Sequence, residues 1–145
     1  MQGILVFGAG GHAKVVAQSL RRLGCWNVLG FIDEINPQRA GESFCASTVL
    51  GGRSALAGMR QRAVGALVLA VGDNQARLAL SSELADAGWH FPPIVDPLAC
   101  VADDVTLGDG CFVAAGAIIE PGTRIGRQAI VNSAVLICHD SEIGD

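Results

Sequence analysis

The chain has 145 residues, half of them apolar and only 17% charged, with a net charge of −4. That suffices for one ordinary domain or two small ones with a real core, and the Gly, Ala, Val, Leu and Ile content points to buried parallel strands and tight turns rather than disorder. An acidic chain without a basic run argues against nucleic acid or an anionic membrane as partner, and no apolar run approaches the ~20 residues of a spanning helix.

The N-terminus, MQGILVFGAGG, has neither a basic leader nor a cleavage site and is not read as a signal peptide. Ile4-Leu5-Val6-Phe7 is a short buried strand running straight into Gly8-Ala9-Gly10-Gly11-His12-Ala13. Ala13, Val16, Leu20 and Leu23 then recur on one helical face, and Gly24 ends the helix. Val28 to Ile32 reads as the second strand, closing at Asp33. Strand, glycine turn, helix, strand and an acidic residue about twenty positions on form a nucleotide-binding pattern. Gly8 permits the tight turn and Gly10 lets the backbone approach a phosphate. The helix start attracts the anion, and Asp33 is placed to accept hydrogen bonds from a ribose or sugar hydroxyl.

Val49-Leu50-Gly51 is a weaker third strand, Arg53 to Arg62 a helix, and Ala66 to Val71 the strongest buried strand. That strand ends in Gly72-Asp73-Asn74, Gln75 to Ala87 is helical, and Trp89-His90-Phe91 reads as a last short strand. Alternating strands and helices imply a Rossmann-like parallel sheet over residues 1–95, with ligands at the strands' carboxyl ends, where Gly8 to His12, Asp33 and Gly72 to Asn74 fall. About 90 residues is roughly half of a two-lobed dinucleotide fold, which favours a single nucleotide such as a nucleotide-sugar over NAD.

After the Asp96-Pro97 joint the chain changes character. Val101, Leu107, Val113, Ile119, Ile125, Val131, Ile137 and Ile143 fall at every sixth position. Four residues after each of the first seven stands a small or modest one: Val105, Cys111, Ala117, Thr123, Ala129, Val135 and Ser141. Gly108, Gly126 and Gly144 are read as turn markers. A six-residue period predicts a parallel β-helix of triangular section over 96–145: the aliphatic residue points inward, the small residue lets the corner turn, and three hexads close one coil. The pattern stops in mid-hexad, so the β-helix is expected to be truncated. The five cysteines form no CxxC or other ligand pattern, so no metal site is expected; they read as reduced thiols of a cytoplasmic protein, with Cys111 as core filler.

GAGGHAKVV, GFID, VGDN and VNSAVLICHDSEIGD occur in this order and span essentially the whole chain. Together they resemble the bacterial sugar acyltransferases with hexapeptide repeats, which include N-acetyltransferases of UDP-4-amino-sugars and sialic acid O-acetyltransferases. The resemblance implies a left-handed β-helix, a homotrimer, a front domain holding a nucleotide-sugar, and acetyl-CoA bound by the β-helix as acyl donor without a metal. By match of motif His139 is the general base and Asp140 its partner, while His12, Asp33 and the first-turn glycines Gly8, Gly10 and Gly11 form the sugar-nucleotide site with Gly72 and Asn74. A histidine beside a carboxylate suits that role, because acyl transfer needs a proton removed near neutral pH. Cys138 stands where the family often has Glu, a departure that leaves any acid at that position unassigned. The readings are N-acetylation of a nucleotide-linked amino-sugar, O-acetylation of a sialic-type sugar, and a sugar-nucleotide-binding or trimer-forming chain without activity. For the 145-residue chain alone the expectation is nucleotide-sugar binding with poor turnover.

Overall fold

The computed structural model describes residues 1–145. It divides into two compact units, Met1–His90 and Phe91–Asp145.

In the first unit a five-stranded sheet has the order β3-β4-β2-β1-β5. Strand β1 (Gln2–Phe7) is joined by helix α1 (Gly11–Leu23) to its parallel neighbour β2 (Trp26–Ile32). The hairpin β3 (Ser43–Phe44) and β4 (Ser47–Gly51), helix α2 (Ala55–Gln61), strand β5 (Ala66–Leu69) and helix α3 (Asn74–Asp86) follow. Apolar runs build the centre: Ile4, Leu5, Val6, Phe31, Ile32, Val49 and Leu67 are fully buried. Helix α1 lays Ala13, Val16, Ala17 and Leu20 on the core and ends at Gly24, whose left-handed φ of 69° lets its N–H reach the Leu20 carbonyl. Strand β1 lies between β2 and β5, so the chain order reverses beside it, and such a switch point opens a crevice at the strands' carboxyl ends.

Three details differ from the reading of the sequence. Strand β5 stops at Leu69, although Ala70 still donates to the Phe7 carbonyl at 2.7 Å. Trp89-His90-Phe91 is not a strand: a single bridge joins His90 to Ala66. Strand β3, antiparallel to β4, was not anticipated, because its two-residue turn uses Cys45 and Ala46 at φ of 48° and 60° where Asn or Gly is the usual signal.

In the second unit nine two-residue strands stack in three parallel sheets, as in a three-sided β-helix. They are β6 (Ile94–Val95), β7 (Cys100–Val101), β8 (Thr106–Leu107), β9 (Phe112–Val113), β10 (Ile118–Ile119), β11 (Arg124–Ile125), β12 (Ile130–Val131), β13 (Leu136–Ile137) and β14 (Glu142–Ile143). The sheets run β13-β10-β7, β14-β11-β8 and β12-β9-β6. Partners lie one eighteen-residue coil apart, as Cys100 pairs with Ile118 and Ile118 with Leu136. Strand β6 already pairs with β9, so the stack starts ahead of the Asp96-Pro97 joint and the units part at 90/91 rather than 95/96.

Val113, Ile119, Ile125 and Val131 fill the interior of the stack, and so do Cys111, Ala117 and Thr123, the small residues of the pattern. Small size there suits a narrow interior rather than a turn. The corners are made elsewhere: Gly110, Gly116, Gly122, Gln128, Ala134 and Asp140, at every sixth position, all have φ between 56° and 75°. Gly108 and Gly126 serve close stacking instead, since a Cβ on either would lie 2.6 Å and 2.5 Å from a carbonyl carbon of the next coil.

Candidate functional site

The first unit holds a cavity of about 360 Å³ lined by Phe7 to Gly10, Asp33 to Asn36, Arg39 and Ala70 to Gly72. These are the segments leaving β1, β2 and β5. Gly8, at φ 122°, turns the chain out of β1 and has no room for a side chain, because a Cβ would stand 2.6 Å from the Ala70 carbonyl oxygen. Gly10 and Gly11 face open space. No side chain caps α1, and its first turn carries no acid. Its leading N–H groups and positive dipole end therefore remain available to an anion.

Asp33 is buried, and its carboxylate is held on both oxygens. Oδ1 accepts the Asn36 N–H at 2.9 Å, and Oδ2 accepts Arg39 Nη1 at 2.7 Å. The same Nη1 also donates to the Ala9 carbonyl at 3.2 Å, and Arg39 Nε donates to Glu42 at 2.8 Å. One guanidinium thus ties the acidic strand end to the glycine turn, and its two carboxylate partners raise its own pKa further. Arg39 was not singled out in the sequence. The only hint was Asp33 followed by Asn36-Pro37, the composition of a side-chain-capped turn.

Gly8, Gly10, Asp33 and Gly72 thus share one cavity, whereas Gly11, His12 and Asn74 do not line it. Asn74 Oδ1 accepts Arg77 Nη2 at 2.8 Å, and Arg77 Nη1 donates to the Val71 carbonyl at 2.8 Å, so Asn74 helps brace the loop that carries Gly72. His12 is half-buried at the start of α1; burial and, secondarily, the Arg77 charge lower its pKa and favour the neutral imidazole.

In the second unit His139 and Asp140 sit at an exposed corner of the stack. His139 Nδ1 and Asp140 Oδ2 are 2.8 Å apart. Neighbouring residues on a strand point to opposite faces; the left-handed φ of 56° at Asp140 is what lets its carboxylate turn back to the ring. That hydrogen bond, the Asp140 charge and then the Glu120 charge raise the His139 pKa. A carboxylate at Nδ1 favours the tautomer with the proton there, leaving the Nε2 lone pair to accept one. Glu120 was missed in the sequence: its Oε2 accepts the His139 backbone N–H at 2.8 Å. It lies one coil before Cys138, so an acid does reach this corner, from the neighbouring coil.

The family model described as the PglD N-terminal domain matches residues 3–84. No curated protein matches the chain. Among solved structures, a His-to-Asn variant of perosamine N-acetyltransferase from Caulobacter crescentus, in complex with CoA and GDP-perosamine, is similar at 35% identity with a TM-score of 0.92, over 99% of this chain and 66% of that one. The acetyltransferase domain of PglB from Neisseria gonorrhoeae is similar at 29% identity with a TM-score of 0.89, over 99% of this chain and 68% of that one. The same domain has been solved in complex with acetyl coenzyme A. This chain thus spans about two thirds of the length of the structures it resembles.

Proposed function

Because the chain belongs to the PglD N-terminal domain family, we propose that it is part of an acetyl-CoA-dependent N-acetyltransferase acting on a nucleotide-linked amino-sugar in bacterial glycan synthesis. The observation that carries this reading is the pairing, in one chain, of a glycine-turn cavity suited to a nucleotide with a parallel stack that presents an imidazole backed by a carboxylate. Likeness across 99% of the chain to an N-acetyltransferase holding CoA and GDP-perosamine supports it.

In this reading the α1 N-terminus at Gly8 to Gly11 takes the phosphates, Asp33 takes a ribose hydroxyl and Gly72 walls the cavity. His12 contributes a neutral imidazole near the phosphates, and Asn74 acts through Arg77 on the Gly72 loop. The acyl donor supplies an activated thioester. His139 Nε2 takes the proton that the sugar amine loses as it attacks the thioester carbonyl, and Asp140 stabilises the imidazolium; the C–S bond then breaks, the acetyl group stays on the sugar nitrogen, and the coenzyme leaves as its thiol with the proton that the imidazolium returns. The stack coils left-handedly, and three copies assemble around it. Support for assembly is an outward apolar stripe, in which Ile118 and Leu136 pair across neighbouring strands and are 46% and 58% exposed. No helix is long and apolar enough to cross a membrane; in this reading the protein works in the cytoplasm.

Calorimetric titration with UDP, GDP and NAD tests the nucleotide site. A nucleoside diphosphate is expected to bind and NAD not to; binding of NAD with no response to UDP or GDP would overturn the reading. Arg39→Ala is expected to weaken nucleoside diphosphate binding by about tenfold, the equivalent of one charge-assisted hydrogen bond that no longer holds Asp33 in place. Unchanged affinity in that variant would remove Asp33 and Arg39 from the ligand's surroundings.

A further inference from the structure

The corner that precedes the dyad by one coil is Glu120-Pro121-Gly122, and each of its residues meets one part of His139-Asp140. Glu120 Oε2 accepts the His139 N–H at 2.8 Å. The Pro121 carbonyl accepts the Asp140 N–H at 3.0 Å. A Cβ built on Gly122 would overlap Asp140 Oδ1. We propose that Glu120 and Gly122 are positioning residues for the dyad: Glu120 pins the histidine backbone, and Gly122 leaves vacant the space that the Asp140 carboxylate fills while Oδ2 reaches the imidazole. The functional half of this proposal rests on His139 being the base.

Backbone conformation alone does not demand glycine at such a corner, since Gln128, Ala134 and Asp140 hold equivalent corners at φ of 57°, 58° and 56° with side chains, so Gly122 has a further reason. Gly116 has the same left-handed backbone, φ 74° against 75°, and the residue stacked on it is Ala134, whose nearest atom lies 3.7 Å from a built Cβ. The two corners thus share the conformational demand and differ in what lies above. At Gly122 that is the carboxylate bonded to His139 Nδ1. The Gly122 N–H donates to Asp104 Oδ2 at 3.0 Å, which anchors the seat to the coil before it. The carboxylates around this corner are therefore Asp140, Glu120 and Asp104; the first two raise the His139 pKa.

The matched glycines supply the experiment. Gly122→Ala and Gly116→Ala carry equal backbone strain, so any difference between them reports on the dyad. In an NMR titration of the His139 imidazole, Gly122→Ala is expected to bring the pKa down towards the ordinary 6.5, and Gly116→Ala to leave it at the wild-type value. In an acetyl-transfer assay kcat is expected to fall about 10- to 100-fold in Gly122→Ala with an unchanged KM for the nucleotide-sugar. An unshifted pKa in Gly122→Ala, or an equal shift in both variants, overturns the proposal. Should Gly122→Ala not fold, Glu120 gives the second test. Glu120→Gln keeps an acceptor for the His139 N–H and is expected to hold kcat within about twofold, while Glu120→Ala loses several-fold; equal losses overturn the positioning role. The titration needs no activity. A pKa that falls with no change in kcat would confirm the seat and remove His139 as base.

Discussion

Replacing His139 by alanine is expected to lower kcat for acetyl transfer by about 10²- to 10⁴-fold, the range that a positioned general base contributes. KM for the nucleotide-sugar is expected to stay within a few-fold of wild type. The ring is exposed and hydrogen-bonded only through Nδ1, so its removal empties no core and leaves no buried partner unsatisfied. The fold should therefore tolerate the change, and circular dichroism should show the same unfolding midpoint. Loss of activity with an intact fold is the signature of a chemical role; unchanged kcat would exclude the base.

The pH dependence follows with a defined sign. Only neutral imidazole accepts the substrate's proton. Because Asp140 and Glu120 raise the His139 pKa above 6.5, kcat/KM should rise with pH through a value on the alkaline side of ordinary histidine. Asp140→Asn removes the nearest charge, so the acid limb of the profile should move to lower pH. Maximal rate should drop at the same time, since the imidazolium loses its stabilising carboxylate. An acid limb that stays in place would mean that Asp140 does not govern the group that titrates.

Much of this was legible because the relevant constraints repeat. A solenoid interior demands an aliphatic side chain at the same phase on every side, so Val113, Ile119, Ile125 and Val131 announce it however short each strand is. The Rossmann-like half was legible in its strand–turn–helix–strand opening for a similar reason: Gly8 answers a steric demand that no other residue meets. What stayed hidden was carried by single contacts between residues distant in sequence. Arg39 reaches back thirty residues to the Ala9 carbonyl, and Glu120 reaches forward nineteen to His139. Neither spacing belongs to a local motif. Most of the true corners also escaped notice: Asp140 was read at one, but Gln128 and Ala134 hold a left-handed conformation that is rare outside glycine and lacks a compositional signal. Gly108 and Gly126 drew attention as turns for the converse reason: glycine also serves close backbone approach, and a lone sequence does not separate the two uses.

Those two uses of glycine meet in the first turn, where they predict opposite outcomes for neighbouring positions. Gly8→Ala is expected to destabilise the first unit by about 2–4 kcal/mol, a large share of what so small a unit can have. Its φ of 122° lies where a side chain is strained, and the new methyl would meet the Ala70 carbonyl oxygen at 2.6 Å. Relief by backbone movement is closed off, since Gly8 N donates to Ile32 at 2.8 Å and Ala70 N to Phe7 at 2.7 Å, tying β1 to both neighbours. Gly10 contrasts with it on each count. Its φ of −106° and ψ of −159° suit any residue, and a Cβ there meets nothing within 4 Å. Gly10→Ala should therefore leave stability within about 0.5 kcal/mol of wild type. If the proposed phosphate site is there, the added methyl takes up space that the phosphate would fill, and nucleoside diphosphate affinity should fall. Both tryptophans, Trp26 and Trp89, belong to the first unit, so urea unfolding followed by their fluorescence reads its stability directly. Equal stability losses in the two variants would make the turn a purely structural device, whereas loss of fold at Gly8 and loss of binding at Gly10 would assign the second glycine to the ligand.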